Sequence, residues 1–280
     1  MRKLCAFADE ASPAISGQIA AMKRCGIDYL EIRGVDGKNI NSVDATKVKE
    51  VRRMLDAEGL AVWSIGSPIG KYSLDKPFDK HLEDFKWILE AASILDAGRI
   101  RMFSFYPAEG DSPEATEEKV MERLAKFCEL TPPEILLCHE NEKHIFGETP
   151  ENCLKIHQNF PSIRAIFDPA NYVQCGVDTF AAWKQMRDYV DYMHIKDAVA
   201  DGTVVPAGQG IGNLPQIVAD YLAGGGKVMT LEPHLTEFVG LKNLENGESV
   251  KGDFARYRNS DEAFDAAVAA LRGILAGIDR

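Results

Sequence analysis

Apolar residues run along the chain in two alternating rhythms. Short runs of strand length, at about 3–8, 28–33, 60–66, 99–105, 134–140, 163–168, 190–196 and 227–232, are each followed by apolar positions at three- and four-residue spacing. The first set predicts buried strands, the second amphipathic helices laid over them. Ser12-Pro13 ahead of Ile15, Ile19, Ala20 and Met22 predicts the first helix, with Ser as its cap and Pro at its start. Gly59 and Gly98 predict the ends of the second and third helices, because a left-handed backbone costs least in glycine. Ser112-Pro113-Glu114 and Thr149-Pro150-Glu151 predict the openings of the fourth and fifth. A last helix over about 260–278 carries an apolar stripe through Phe264, Ala267, Leu271 and Leu275.

Strict alternation of strand and helix implies parallel strands, and eight repeats predict closure into a (β/α)8 TIM barrel spanning 1–280 as one domain. A doubly wound open sheet is the alternative. It would place a Gly-rich phosphate turn after the first strand, where this chain has Phe7-Ala-Asp-Glu-Ala-Ser12. The polar, Gly-containing stretch 238–259 predicts a loop over the barrel mouth.

Composition narrows the function. Apolar residues at 45% supply a large core, and a net charge of −11 argues against a nucleic-acid partner. No apolar run reaches membrane-spanning length, and the N-terminal run stops at Asp9 and Glu10, unlike a signal peptide. Six scattered cysteines without a CxxC pair suit free thiols in a reducing cytoplasm.

Four consecutive predicted strands end in chemistry: Glu140, Asp168, His194 and Glu232. In a parallel barrel these ends share one mouth, so three carboxylates and one imidazole can converge on one ion. An oxygen-rich set with a single nitrogen favours Mn²⁺, Mg²⁺ or Co²⁺, with Zn²⁺ also possible. Lys196 shares the parity of His194 and can reach a substrate hydroxyl or anion, and Glu31 at the end of the second strand is a candidate hydroxyl binder. His234 and Lys71 are rim candidates. Gly208-Gln209-Gly210-Ile211-Gly212 follows the seventh strand, near the phosphate position of many barrels, where its amides can cradle an anion or the loop can act as a lid. His139 and Asn141 should face away from Glu140 and support it from behind. His81, His144 and His157 read as surface residues.

The runs Phe167-Asp168-Pro169-Ala170-Asn171, His194-Ile-Lys-Asp197 and Val205-Pro-Ala-Gly-Gln-Gly210 resemble the sugar phosphate isomerase/epimerase group of the xylose isomerase-like barrels, within the AP endonuclease 2 superfamily. Phe7–Pro13 and Glu31–Asn39 extend the likeness over nearly the whole chain. The resemblance implies one divalent metal on Glu140, Asp168, His194 and Glu232, with Glu140 and Glu232 as an acid/base pair on a small carbohydrate substrate. It also implies a homodimer or homotetramer. Where the ketose 3-epimerase branch has His and Arg, this chain has Asn171 and Ala200; Asn171 remains a candidate substrate ligand.

The resulting expectation is a sugar isomerase or epimerase that moves a proton beside a metal-polarised carbonyl, with carboxylates crowded toward neutral pKa values. A lyase that dehydrates a keto-sugar, keto-inositol or dehydroshikimate begins with the same proton abstraction. A sugar-binding barrel without activity would need no paired glutamates. A nuclease would need a histidine-rich multi-zinc cluster and a basic face, which this composition lacks.

Overall fold

Eight parallel strands close on themselves in the computed structural model, which describes residues 2–239, 241 and 251–280. They are β1 (Lys3–Ala6), β2 (Tyr29–Ile32), β3 (Ala61–Ile65), β4 (Arg99–Met102), β5 (Leu136–Glu140), β6 (Ile163–Phe167), β7 (Val190–Ile195) and β8 (Val228–Leu231). β8 pairs back onto β1 through Lys3↔Val228 to Ala6↔Leu231, so the barrel itself has no open edge. Each strand lies within its predicted run.

Among the described residues the α-helices with described bounds are α1 (Ile15–Cys25), α2 (Ala45–Ala57), α3 (Phe78–Leu95), α4 (Pro113–Leu130), α5 (Pro150–Asn159), α6 (Pro169–Gln174), α7 (Thr179–Met186), α8 (Leu214–Ala223) and α9 (Ser260–Ile278). Ser112 and Thr149 cap α4 and α5 as their sequences predict, and α9 buries Phe264, Ala267, Leu271 and Leu275. Two predicted boundaries differ. α1 starts after Ala14 and takes no side-chain cap from its own segment; the Ile15 amide donates instead to Asp36 Oδ1, 2.9 Å away beyond β2. α3 stops at Asp96, which takes the left-handed conformation (φ 56°) itself, so Gly98 is not needed for it.

Period-two alternation turns Cys5, Cys138, Ile166, Tyr192 and Val228 inward as an apolar layer midway up the barrel. A register shift between β6 and β7 pairs Ala165 with Val190 and Ile166 with Tyr192, passing over Asp191. This bulge fixes the parity that carries Tyr192, His194 and Lys196 inward in succession.

His81 and His157 are buried, against the surface placement their segments predict; His144 is exposed. His81 Nε2 accepts from the Gly70 amide (2.9 Å) and its ring stacks on Tyr72. His157 Nδ1 meets Ile163 O (3.0 Å) and stacks on Tyr189. Each imidazole satisfies a backbone group where a hydrocarbon could not, which helical periodicity does not reveal. All six cysteines are free, and no helix among the described residues is long and apolar enough to cross a membrane. In the predicted loop over the mouth, residues 240 and 242–250 lie outside the described residues; near its start, Phe238 lies over Arg33, and Lys251 O accepts from Val204 N (2.8 Å).

Candidate metal centre

The C-terminal ends of β5 to β8 bring Glu140, Asp168, His194 and Glu232 into one cluster. None is more than 3% exposed, and one ligand-type atom from each lies within 4.8 Å of the others. His194 Nδ1 is 3.0 Å from Glu140 Oε1, 3.3 Å from Glu232 Oε2 and 4.0 Å from Asp168 Oδ2.

Local structure holds each side chain. Asp168 caps α6, with Oδ1 accepting from the Asn171 amide (3.0 Å) and Pro169 in the first turn, where no N–H is needed. Asn141 clamps the Asp168 backbone from behind, accepting from its N–H and donating to its carbonyl, both at 2.9 Å. Asn171 Nδ2 donates to Asn141 O (2.8 Å) and to Glu140 Oε1 (3.3 Å). His139 turns outward and meets Ser104 Oγ at 3.0 Å. Glu31 lies beneath His194 rather than at the rim: Oε2 faces His194 Nε2 (3.2 Å), and Oε1 accepts from Tyr192 Oη (2.7 Å). A carboxylate behind the ring fixes the imidazole so that Nδ1 faces the cluster.

Fixed cations stand among these acids; the sequence pointed to Lys196 but not to Arg33 or Arg101 as site residues. Arg33 donates to Asp9 (2.9 and 3.0 Å), Glu10 Oε1 (3.1 Å) and Glu232 Oε1 (2.9 Å). Arg101 Nη1 reaches Glu140 Oε2 (3.1 Å), while its buried Nε has no partner. Lys196 Nζ sits between Asp168 Oδ2 (3.0 Å) and Glu232 Oε2 (3.2 Å). The rule that exposed the carboxylates, a charge set in or just after an apolar strand, applies equally to Arg33 after Ile32 and to Arg101 between Ile100 and Met102.

Electrostatics separate the three acids. Burial, with Glu140 and Glu232 nearby, outweighs Lys196 and raises Asp168 to about 6. Burial pushes Glu140 and Glu232 up too, but His194 and Arg101 pull Glu140 down, and Lys196 and His234 pull Glu232 down. Both end below the ordinary carboxylate range, opposite to the rise that crowding alone predicts. Burial disfavours the charged His194, yet Glu140 and Glu31 carry its pKa well above the usual imidazole value.

The donor set suits a divalent cation on two counts. Asp168 Oδ2 is buried and accepts no well-directed hydrogen bond, although Lys196 Nζ is near. Among the described residues, six buried carboxylates, Asp9, Glu10, Glu31, Glu140, Asp168 and Glu232, face three fixed cations, Arg33, Arg101 and Lys196, and remain in excess even with the His194 imidazolium counted as a fourth. Unit charges of like sign ~4 Å apart repel by about 4 kcal/mol at an effective dielectric constant near 20, so the excess is costly without a further cation. Glu10, Glu232 and His234 form a second close set, but there the carboxylate oxygens already face Arg33.

The remaining candidates are placed as follows. His234 lies beside Glu232, with Nε2 3.5 Å from Glu232 Oε1. Lys71 pairs with Glu142 Oε2 at 2.8 Å. Gln209 is exposed, its Oε1 3.5 Å from Arg256 Nη1, away from the cluster. The amides of Gly208, Gly210 and Gly212 in the Gly-rich loop turn onto Asp197, while those of Gln209 and Ile211 donate to Pro206 O and Ala198 O.

A sequence profile described as xylose isomerase-like TIM barrel matches residues 19–243. No curated protein matches the chain in sequence. Among solved structures, D-psicose 3-epimerase of Clostridium cellulolyticum H10, solved with D-tagatose, has a TM-score of 0.73 at 15% identity and covers 99% of each chain. The probable 3-DHS dehydratase AsbF of Bacillus anthracis has a TM-score of 0.73 at 16% identity, covering 97% of this chain and 99% of its own. The IOLI protein with a binding zinc atom has a TM-score of 0.75 at 15% identity, covering 99% of both. At these identities the likeness is one of fold.

Proposed function

Because the chain belongs to the xylose isomerase-like TIM barrel family, we propose that it is a metal-dependent isomerase or epimerase of a sugar or sugar derivative. The observation that carries this reading is the buried convergence of Glu140, Asp168, His194 and Glu232 in a cluster whose carboxylates outnumber its fixed cations. These four residues would hold the ion, Mn²⁺ by preference, with Mg²⁺, Co²⁺ or Zn²⁺ as alternatives. When bound, it supplies Lewis acidity to a carbonyl and the neighbouring hydroxyl, which lowers the cost of removing the proton between them.

The chain's own groups do the proton work. Glu140 and Glu232 are held as anions, so either can accept a proton without first losing one. One takes the proton from carbon; the other, once it has drawn the proton of the neighbouring substrate hydroxyl, returns it to the opposite face for epimerisation or to the adjacent carbon for isomerisation, and the first then gives its proton back to oxygen. Glu31 keeps His194 turned toward the cluster. Lys196, Asn171, His234 and Lys71 are the groups nearest to hand for substrate hydroxyls, and the burial of the cluster excludes bulk water from the exchanging proton.

A second reading, dehydration of a keto-compound, is favoured by one feature. Elimination needs a proton for the leaving hydroxyl, and His234 Nε2 stands beside Glu232 with no well-formed hydrogen bond of its own. Both readings are tested by incubating the metal-loaded protein with a panel of ketoses and cyclic ketones in D₂O. Deuterium beside the carbonyl, with no loss of water, identifies isomerase or epimerase chemistry; loss of water with enone absorbance identifies the dehydratase. Loss of either signal in Glu140→Gln and Glu232→Gln is expected. If no compound exchanges or dehydrates with any of the four metals, the proposal fails.

A further inference from the structure

The loop after β7 carries an anion of its own. Asp197 is fully buried, immediately after Lys196, and its carboxylate accepts four backbone amides from one short stretch of chain. Oδ1 takes the N–H groups of Ala198 (3.0 Å) and Gly212 (2.9 Å); Oδ2 takes those of Gly208 (2.8 Å) and Gly210 (3.0 Å). Several converging amides form the concave, positively polarised nest that binds phosphate in many proteins, and the loops after the seventh and eighth strands are where barrels commonly place it.

The glycines are there for this close approach. A Cβ on Gly210 would fall 2.3 Å from Ala198 O and 2.4 Å from Asp197 Oδ1, and one on Gly212 would fall 2.6 Å from Asp197 Oδ1. Nor do the described cations of the mouth offer an alternative anchor. Arg33 is bound to Asp9, Glu10 and Glu232, Arg101 to Glu140, Lys196 to Asp168 and Glu232, and Lys71 to Glu142.

We infer that Asp197 is the resident anion of this amide nest and a specificity-determining residue, so the substrate is a carbonyl compound without a phosphate group. The substrate clause rests on the isomerase reading given above; the occupancy of the nest does not. An unphosphorylated polyol needs hydroxyl partners, which the carboxylates, Lys196 and Asn171 supply.

The test is anion rescue. Thermal unfolding of metal-free wild type, Asp197→Asn and Asp197→Ala is followed in chloride, formate and inorganic phosphate at matched ionic strength. The wild-type midpoint should be the same in all three salts. Asp197→Ala should fall by roughly 5–10 °C, the scale expected when four charge-assisted bonds are lost from a chain of this size and water replaces part of them. Formate, which replaces the missing carboxylate, should recover at least about half of that loss. Asp197→Asn, which keeps the shape but turns an amide against amide donors, should fall without rescue; if Asp197→Ala does not fold, formate-dependent refolding yield takes the place of its midpoint. A saturable rise of the wild-type midpoint with phosphate, or an Asp197→Ala variant indifferent to formate, overturns the inference. With metal-loaded enzyme, preferred turnover of ketose phosphates over free ketoses overturns the substrate clause while leaving the isomerase reading in place. No turnover of either class sinks the isomerase reading, and the unfolding data still decide the nest.

Discussion

The barrel has a charged mouth and a charged floor, and the same strands build both. β4 sets Arg99 at the floor and Arg101 at the mouth; β7 sets Asp191 at the floor and His194 at the mouth. At the floor Arg99 Nε meets Asp191 Oδ2 at 2.5 Å, and its guanidinium lies 3.8 Å above the Trp63 ring. One cation answers one anion, partly open to solvent, beside a hollow of about 780 Å³ that Trp63, Arg164, Trp183 and Tyr221 help to line. The mouth lacks that balance, since its buried acids outnumber its fixed cations. Charge alone therefore does not mark the functional end, and neither does open space. The mark is negative charge left unmatched under burial, which folding would discard unless something else used it.

This contrast can be broken by exchanging the effects of the two ends. Glu232→Gln at the mouth should lower turnover about 10³-fold, the scale of a lost acid/base group, while shifting the unfolding midpoint little. Arg99→Met at the floor should do the reverse. It should cost about 1–2 kcal/mol in urea unfolding, because the pair is only partly buried, and leave turnover within about twofold. If Arg99→Met abolishes turnover with stability intact, the floor is not merely structural.

A smaller effect separates buried charge from buried neutrality. His81 sits outside the barrel with its pKa lowered to about 4, because burial disfavours the imidazolium and Arg123 adds repulsion. Its Nε2 must stay unprotonated to accept from Gly70, whose left-handed φ of 87° and contact with Phe103 O leave no room for another residue. As pH falls below about 6.5 the unfolded chain binds this proton first, so stability drops until about pH 4 and then levels. The contribution is roughly 3 kcal/mol across that window. Asp168, raised to about 6, works in the opposite sense as pH falls below that value, so the quantity to compare is the difference between wild type and His81→Leu. The variant should be less stable at pH 7 and should lose less on acidification; equal slopes would contradict a neutral buried His81.

Much of the mouth was legible in the sequence, because strands that end in carboxylates are conspicuous and a parallel barrel puts their ends together. Glu140, Asp168, His194 and Glu232 are therefore found by pattern. Arg33 and Arg101 were open to the same pattern, but a cation invites the assumption of a surface residue. The outcome for the Gly-rich loop was not legible. The residues 208–212 announce an anion nest, yet only the folded chain shows Asp197, eleven residues before Gly208 along the sequence, turned back into it. The buried roles of His81 and His157 rest on contacts with Gly70 and Ile163, which no spacing rule predicts.

Metal binding at the mouth tests the central claim most directly. Metal-free wild type, Glu140→Gln and Arg99→Met would be titrated with Mn²⁺, Mg²⁺, Co²⁺ and Zn²⁺ by calorimetry, with elemental analysis of the loaded proteins. About one divalent ion per chain is expected in wild type and in Arg99→Met, with release of the proton held by His194, and binding lost or weakened at least about tenfold in Glu140→Gln. No binding in wild type, or binding that survives unchanged in Glu140→Gln, would contradict it.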